Sequence, residues 1–174
     1  MFKTLLCVAA AVVLASAAPS HEEEVIKGAI VKLEGGGVEG SVTFTRDGDN
    51  LRITGTVTGM PAGDYGFTIH ESGDITKGCD ATGAHFNPDG HDHGHPDEDS
   101  SHAGDLGNIK FDTTKTASFN FINRKIDLNG RYSIIGRSVV VHSGKDDHGK
   151  TDHPDSKITG NAGAHVACGV IGIL

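Results

Sequence analysis

The feature that most constrains the fold is a series of short segments in which apolar and polar residues alternate, separated by glycine-rich turns. Val42 and Phe44 alternate with serine and threonine, and Phe119 and Phe121 alternate with serine and asparagine. A period of two residues is typical of strands that bury one face. Eight strands are predicted, at Val25–Leu33, around Val42, and at Leu51–Val57, Tyr65–His70, Ile109–Asp112, Ala117–Ile122, Ser138–His142 and His165–Ile173.

Two long polar stretches interrupt this pattern, at residues 71–108 and 143–164. The first contains glycine, proline, aspartate and histidine, with almost no apolar residue. Loops of that length in a compact domain are usually functional or disordered. The sequence therefore predicts an all-β fold, an eight-stranded antiparallel barrel with two long functional loops, because closure of the sheet removes exposed strand edges.

The first residues are typical of a signal peptide. Lys3 supplies the positive charge, Leu5–Ala15 is an apolar run too short to span a bilayer, and Ala17 ends a small-residue cleavage site. The alternative is a buried N-terminal helix. We predict a signal peptide at 1–17, a short segment at 18–23 and one domain at 24–174, secreted to the extracellular space. No later segment has membrane length, so no membrane association is expected.

Charge and cysteine usage narrow the class of protein further. The formal net charge is -8 and no basic stripe is present, which argues against nucleic acid as a partner. Cys7 leaves with the signal peptide, and Cys79 and Cys168 remain as a pair in an oxidising compartment. We expect a disulfide between them, with two buried free thiols as the alternative.

Histidines and one carboxylate in the first loop have the spacing of metal ligands. His85, His93, His102 and Asp105 form the pattern H-x7-H-x8-H-x2-D. Four-coordinate zinc would order a loop that has no core of its own. A solvated, histidine-rich loop explains the spacing equally well. His70 and His142 each end a predicted strand and could both point toward the same edge.

Five segments resemble the motifs of copper/zinc superoxide dismutases over almost all of the chain after residue 23. GFTIHESGD is similar to the family's G-F-H-V-H-E-F-G-D, and GAHFNP to its G-x-H-F-N-P. HAGDLGN matches H-x-G-D-L-G-N, and the segment that ends at His142 matches Y-S-I-I-G-R-x-x-V-V-H. The last segment resembles G-N-A-G-x-R-x-A-C-G-V-I-G-I. The segments are Gly66–Asp74, Gly83–Pro88, His102–Asn108, Tyr132–His142 and Gly160–Ile173.

This resemblance implies a Greek-key barrel, or flattened sandwich, that dismutates superoxide to oxygen and hydrogen peroxide. It places Asp146 between the two metal sites and makes Cys79–Cys168 the family disulfide. It also implies a homodimer. The implied zinc ligands are His85, His93, His102 and Asp105. The implied copper ligands are His70, His85 and His142, with His85 catalytic as the bridge between Zn²⁺ and Cu²⁺/Cu⁺. The implied dimer contact comprises Gly73, Ile135, Gly136 and Ile173.

Three departures from the family pattern concern the copper site. Thr68 replaces the fourth copper ligand, and a neutral hydroxyl is a weak copper ligand compared with imidazole. His165 replaces the catalytic arginine, whose permanently charged fork of donors suits an anion. Lys157 is displaced from the family's S-T-K-T-G pattern, which should weaken electrostatic attraction of superoxide. A further hypothesis is that His165 becomes a replacement copper ligand.

Two functions remain open on this basis. The first is a secreted superoxide dismutase-like oxidoreductase whose activity is reduced or lost. The second is a non-catalytic, zinc-stabilised domain that binds metal or a protein partner. Four further histidines have no family counterpart, and they are expected to be exposed, with auxiliary metal capture as the alternative: His91, His95, His148 and His153.

Overall fold

The computed structural model describes residues 25–174, so the predicted signal peptide and the 18–23 segment lie outside the described residues. Nine strands form within this range. They are β1 (Gly28–Gly35), β2 (Val38–Asp47), β3 (Asn50–Thr58), β4 (Gly63–His70), β5 (Asp105–Phe111), β6 (Thr116–Asn123), β7 (Ser138–His142), β8 (His165–Val170) and β9 (Gly172–Ile173). Helical structure in the described residues is limited to single turns at Cys79–Thr82, Gly130–Tyr132 and Ser156–Thr159.

The strands form one antiparallel sheet that closes almost completely into a barrel. Their order is β5-β4-β7-β8-β1-β2-β3-β6, and the two-residue β9 pairs with β1. A short turn joins the two edge strands β5 and β6, where the backbone N–H of Asp112 donates to the carbonyl of Thr116. The predicted eight-stranded, all-β barrel is confirmed, with β9 as a short continuation of the last predicted strand.

Alternation along the strands builds the core. Phe44 and Ile53 face each other across β2 and β3, and both are fully buried. Phe67 and Phe111 fill the core from β4 and β5. Full burial of such side chains stabilises the fold by about 1.5–3 kcal/mol each. The barrel therefore provides a rigid support for the two loops at one end of β4 and β7.

The first loop (residues 71–104) connects β4 to β5, and the second loop (residues 143–164) connects β7 to β8. The predicted disulfide is confirmed: it joins Cys79 in the first loop to Cys168 in β8, with the two Cα atoms 5.6 Å apart. The backbone N–H of His93 donates to the carbonyl of Lys157, which ties the loops together. Within residues 25–174, no helix is long and apolar enough to cross a membrane.

Candidate metal centre

The centre lies where the ends of β4, β5, β7 and β8 meet the two loops. A β-bulge in β5 shapes one side of it. Gly66 pairs with Asn108 and Thr68 with Asp105, so two residues of β5 oppose one residue of β4. Gly107, at φ 80°, supplies the left-handed backbone conformation in this bulge. The extra residue brings Asp105 directly opposite Thr68, at the buried end of the strand pair.

A second bulge shapes the opposite side. Val141 pairs with Ala167 and His142 with His165, so the register passes over Val166 in β8. Residues directly opposite each other in a ladder share a face. The bulge therefore places His165 beside His142, with the ring centroids 5.1 Å apart. Bulges are common next to active sites, where they redirect side chains.

The four predicted zinc ligands form one buried cluster, and their ligand atoms lie within 4.8 Å of one another. Asp105 Oδ1 is 2.9 Å from Nδ1 of His85 and 2.9 Å from Nδ1 of His93. It is 3.2 Å from His102 Nδ1, which makes no hydrogen bond to any described residue. Three ring nitrogens around one carboxylate oxygen form the donor set that zinc prefers.

The same contacts determine which groups of this cluster are protonated. Burial would lower the pKa of His93, but hydrogen bonds to Asp105 and Asp146 raise that pKa to about 9. Burial would raise the pKa of the Asp105 carboxyl, but the rings of His102, His85 and His93 hold it well below its usual range. Without metal, an imidazolium–carboxylate pair thus occupies the cluster. Zinc binding would release the proton from Nδ1 of His93.

A second cluster contains His70, His142 and His165, again with ligand atoms within 4.8 Å of one another. The hydroxyl of Thr68 lies between two of these rings. Its Oγ1 is 3.0 Å from Nε2 of His70 and 2.9 Å from Nε2 of His142. Thr68 is buried, with 1% of its surface exposed. The structure thus places His70, His142 and the substituted Thr68 in one site and adds His165 to it.

Both strand-end histidines are neutral in this environment. Burial and the neighbouring His85 lower the pKa of His70 to about 2. Burial and His85 also lower the pKa of His142 to about 4. A neutral imidazole offers one lone pair, which is the form that binds metal.

His85 stands between the two clusters. Its Nδ1 faces Asp105, and its Nε2 is buried with no hydrogen-bond partner among the described residues. The ring centroid lies 5.0 Å from that of His70 and 5.7 Å from that of His142. A buried nitrogen without a hydrogen-bond partner, on a ring that neighbours two further histidines, fits a ring that bridges two metal ions. The residues therefore fit zinc at one cluster and copper at the other.

Asp146 links the second loop to the cluster around Asp105 but not to the cluster of His70, His142 and His165. Its Oδ1 accepts a hydrogen bond from Nε2 of His93 at 2.7 Å. Its Oδ2 is buried and has no hydrogen-bond partner among residues 25–174. The family pattern has a histidine at the position of Thr68, and threonine has no ring nitrogen to donate to this oxygen. The carboxylate of Asp146 therefore lacks its partner on the side of the copper ligands.

Backbone carbonyls that orient the rings were not anticipated from the sequence. Gly83 O lies 2.8 Å from Nδ1 of His70, and Gly163 O lies 3.3 Å from Nδ1 of His142. Both glycines have positive φ and stand two residues before a site histidine, His85 or His165, and this spacing was the available signal. His91, His95, His148 and His153 belong to neither cluster.

Comparison with known proteins agrees with this geometry. The family model for copper/zinc superoxide dismutase matches residues 38–171. The clock protein EA4, which has a crystal structure, is 47% identical to this chain in sequence, and the two structures superpose with a TM-score of 0.86. That match covers 90% of this chain and 100% of the clock protein. The barrel, its disulfide and the two clusters at its end thus accompany a family match over most of the described residues, and the chain belongs to the copper/zinc superoxide dismutase family.

Proposed function

We propose that this chain is a secreted superoxide dismutase-like protein that binds Zn²⁺ firmly and dismutates superoxide slowly or not at all. The observation that carries the proposal is the Thr68 hydroxyl, which lies between His70 and His142. A hydroxyl there cannot replace the imidazole that the family pattern has at this position. Copper, when bound, would supply the one-electron redox chemistry of dismutation.

The residues of the zinc cluster support a structural role for that metal. His85, His93, His102 and Asp105 are all at least nine-tenths buried, and they come from the first loop and the start of β5. Four protein ligands leave no open position, which is typical of a structural zinc site. Zinc would therefore fix the first loop against the barrel and contribute to the free energy of folding.

The loss of the family arginine supports slow dismutation. The His165 side chain is 21% exposed, and its Nδ1 is 3.4 Å from a carboxylate oxygen of Asp80. An imidazole beside a carboxylate offers an incoming anion less positive potential than a guanidinium group. The formal net charge of -8 would repel superoxide further.

The test is to purify the secreted protein, measure zinc and copper per chain, and follow superoxide consumption. We expect about one zinc per chain and dismutation that is orders of magnitude below the diffusional ceiling of about 10⁸–10⁹ M⁻¹s⁻¹. Fast, salt-sensitive dismutation with full copper occupancy would overturn the proposal.

A double substitution tests the cause. Thr68→His with His165→Arg restores an imidazole and a guanidinium, and we expect dismutation to rise by at least about 10²-fold, the effect of one well-placed electrostatic donor. Thr68→Ser with His165→Arg is the matched control and should give a much smaller gain, because serine keeps the hydroxyl. No difference between the two double variants would place the defect elsewhere.

A second candidate function is a non-catalytic, zinc-stabilised domain that binds metal or a protein partner. The similarity to the clock protein EA4 favours it, because that relative is named as a clock protein and not as an enzyme. Zinc occupancy with no superoxide consumption, even after copper loading, would support this candidate over a slow enzyme.

Secretion is part of the proposal. Disulfides persist in oxidising compartments, and the Cys79–Cys168 bond is consistent with one. N-terminal sequencing of protein from the culture medium should begin at residue 18. Protein that stays inside the cell with residues 1–17 attached would contradict secretion.

A further inference from the structure

His165 has the surroundings of a metal ligand rather than those of an anion-binding side chain. Its ring centroid is 4.7 Å from that of His70 and 5.1 Å from that of His142, nearly perpendicular to both. It belongs to the three-histidine set whose ligand atoms lie within 4.8 Å of one another. The bulge at Val166 produces this arrangement by pairing His165 with His142.

The hydrogen bonds of the three rings define which nitrogens are free. Nδ1 of His165 lies 3.1 Å from the carbonyl oxygen of Cys79. Nδ1 of His70 and Nδ1 of His142 lie 2.8 Å and 3.3 Å from the carbonyl oxygens of Gly83 and Gly163. A carbonyl can only accept, so each Nδ1 must carry the hydrogen. In its neutral form, a ring with the hydrogen on Nδ1 keeps its lone pair on Nε2, and metal-binding histidines are oriented in this way.

Thr82 strengthens this assignment for His70. Its hydroxyl donates its hydrogen to the carbonyl of Cys79 at 2.7 Å. The hydroxyl oxygen of Thr82 therefore acts as the acceptor for Nδ1 of His70, at 3.1 Å. The proton on Nδ1 of His70 therefore has two acceptors, Thr82 and Gly83. Nε2 of this ring is left as an acceptor that faces Thr68.

Thr68 cannot satisfy the lone pairs that face it. Its hydroxyl has one hydrogen, but Nε2 of His70 and Nε2 of His142 both lie within 3.0 Å of Oγ1. One of these buried nitrogens therefore lacks a donor. A cation bound by the rings would satisfy both nitrogens, and three imidazoles suit copper.

We infer that His165 is a copper ligand, and that His70, His142 and His165 hold copper through their three Nε2 atoms. The inference rests on the proposed function, because it explains how the site could keep copper while dismutation is slow. The residue at the position of the family's anion-binding arginine is then committed to the metal. Neither a guanidinium nor a free cationic side chain remains there to receive superoxide.

The test uses full-length secreted protein and copper alone, with Cu(I) affinity measured by competition against a chelator of known affinity. His165→Gln should weaken copper binding by at least about 10- to 100-fold, since even outer-shell changes at metal sites have that effect. His153→Gln is the matched control, because His153 is an exposed loop histidine outside both clusters. Zinc content should stay unchanged in both variants, which shows that they fold.

A measurement on the unaltered protein keeps the inference testable if His165→Gln does not fold. Long-range ¹H–¹⁵N NMR of the Cu(I)-loaded protein should show the Nε2 resonances of His70, His142 and His165 shifted relative to the copper-free form. An unshifted His165 Nε2 resonance, or unchanged copper affinity in His165→Gln, overturns the inference. Fast dismutation by the unaltered protein would instead overturn the proposed function. The copper affinity and the NMR shifts alone would then decide the ligand assignment.

Discussion

At the scale of single residues, the protein keeps several imidazoles uncharged inside the centre. Burial is the first cause: His70 and His142 are each 1% exposed. The neighbouring ring of His85 adds to it by disfavouring a second positive charge. These groups titrate near pH 6.5 in an unfolded chain, so the folded and unfolded states bind different numbers of protons.

The stability of the metal-free protein should therefore fall as the pH decreases from 6.5 to 5. The folded-state pKa values are about 2 for His70 and about 4 for His142, both below the unfolded value of 6.5. In this window His70 and His142 bind protons in the unfolded chain but not in the folded state, so acid favours unfolding. Each group contributes up to about 1.4 kcal/mol per pH unit to the free energy of unfolding. Urea denaturation after chelation measures the effect.

His142→Gln should reduce this pH dependence by about one proton, whereas His153→Gln should leave it unchanged. His93 acts in the opposite direction at higher pH, because its folded-state pKa is raised to about 9. The urea midpoint should consequently be highest near neutral pH. A midpoint that stays constant or rises between pH 6.5 and pH 5 would contradict the assignment of neutral, buried rings.

At the scale of elements, the disulfide positions the part of the first loop that orients two rings. Cys79 begins the helical turn Cys79–Thr82, and its carbonyl accepts from Nδ1 of His165. Gly83, directly after this turn, supplies the carbonyl that faces His70. The bond to Cys168 thus holds these two carbonyls near the barrel end.

Removal of the disulfide by Cys79→Ser with Cys168→Ser should lower the free energy of unfolding by about 2–5 kcal/mol. It should also weaken copper binding more than zinc binding, since the carbonyl of Cys79 faces His165 whereas the zinc cluster is held by its own hydrogen bonds to Asp105. Urea denaturation of the metal-free protein and competitive metal titration measure the two effects.

Chemical reduction of the unaltered protein is the control for the double serine variant and should reproduce both changes. An unchanged urea midpoint, or an equal loss of affinity for both metals, would contradict this role of the disulfide.

The elements also show what the sequence could predict. Alternation identified strands such as β2 and β6, because burial of one face imposes a period of two on residues such as Val42 and Phe44. It did not place the start of β5 at Asp105 or the break at Ile171 that separates β8 from β9. Both depend on bulges and edge pairing, which are set by contacts between distant strands.

The same limit applied to the site. The ligand spacing and the family motifs named the residues of both clusters, but the strand alternation that puts Thr68 and His70 on one face says nothing about His165. Its proximity to His142 depends on the bulge that passes over Val166. The orienting carbonyls of Gly83 and Gly163 depend on the path of the loops, which no local pattern encodes.

At the scale of the whole molecule, apolar residues remain exposed where β8 and β9 end the barrel. Val170 is 40% exposed and Ile173 is 60% exposed. Gly73 adjoins them, because a Cβ added at Gly73 would clash with the carbonyl oxygen of Gly136 and contact Val170. Exposed apolar residues grouped on one part of a surface often mark a contact between proteins, and the family resemblance implies a homodimer through this region.

Ile173→Glu should therefore convert a dimer into a monomer, because the contact would have to bury an unpaired carboxylate. We expect the dimer Kd to rise at least tenfold, which corresponds to about 1.4 kcal/mol. Sedimentation velocity over a range of micromolar concentrations measures the change. Ile158→Glu is the matched control, since Ile158 is 61% exposed but lies in the second loop, and the dimer should persist in it. A monomeric unaltered protein at these concentrations, or an Ile173→Glu variant that remains dimeric, would show that this surface does not join two copies of the chain.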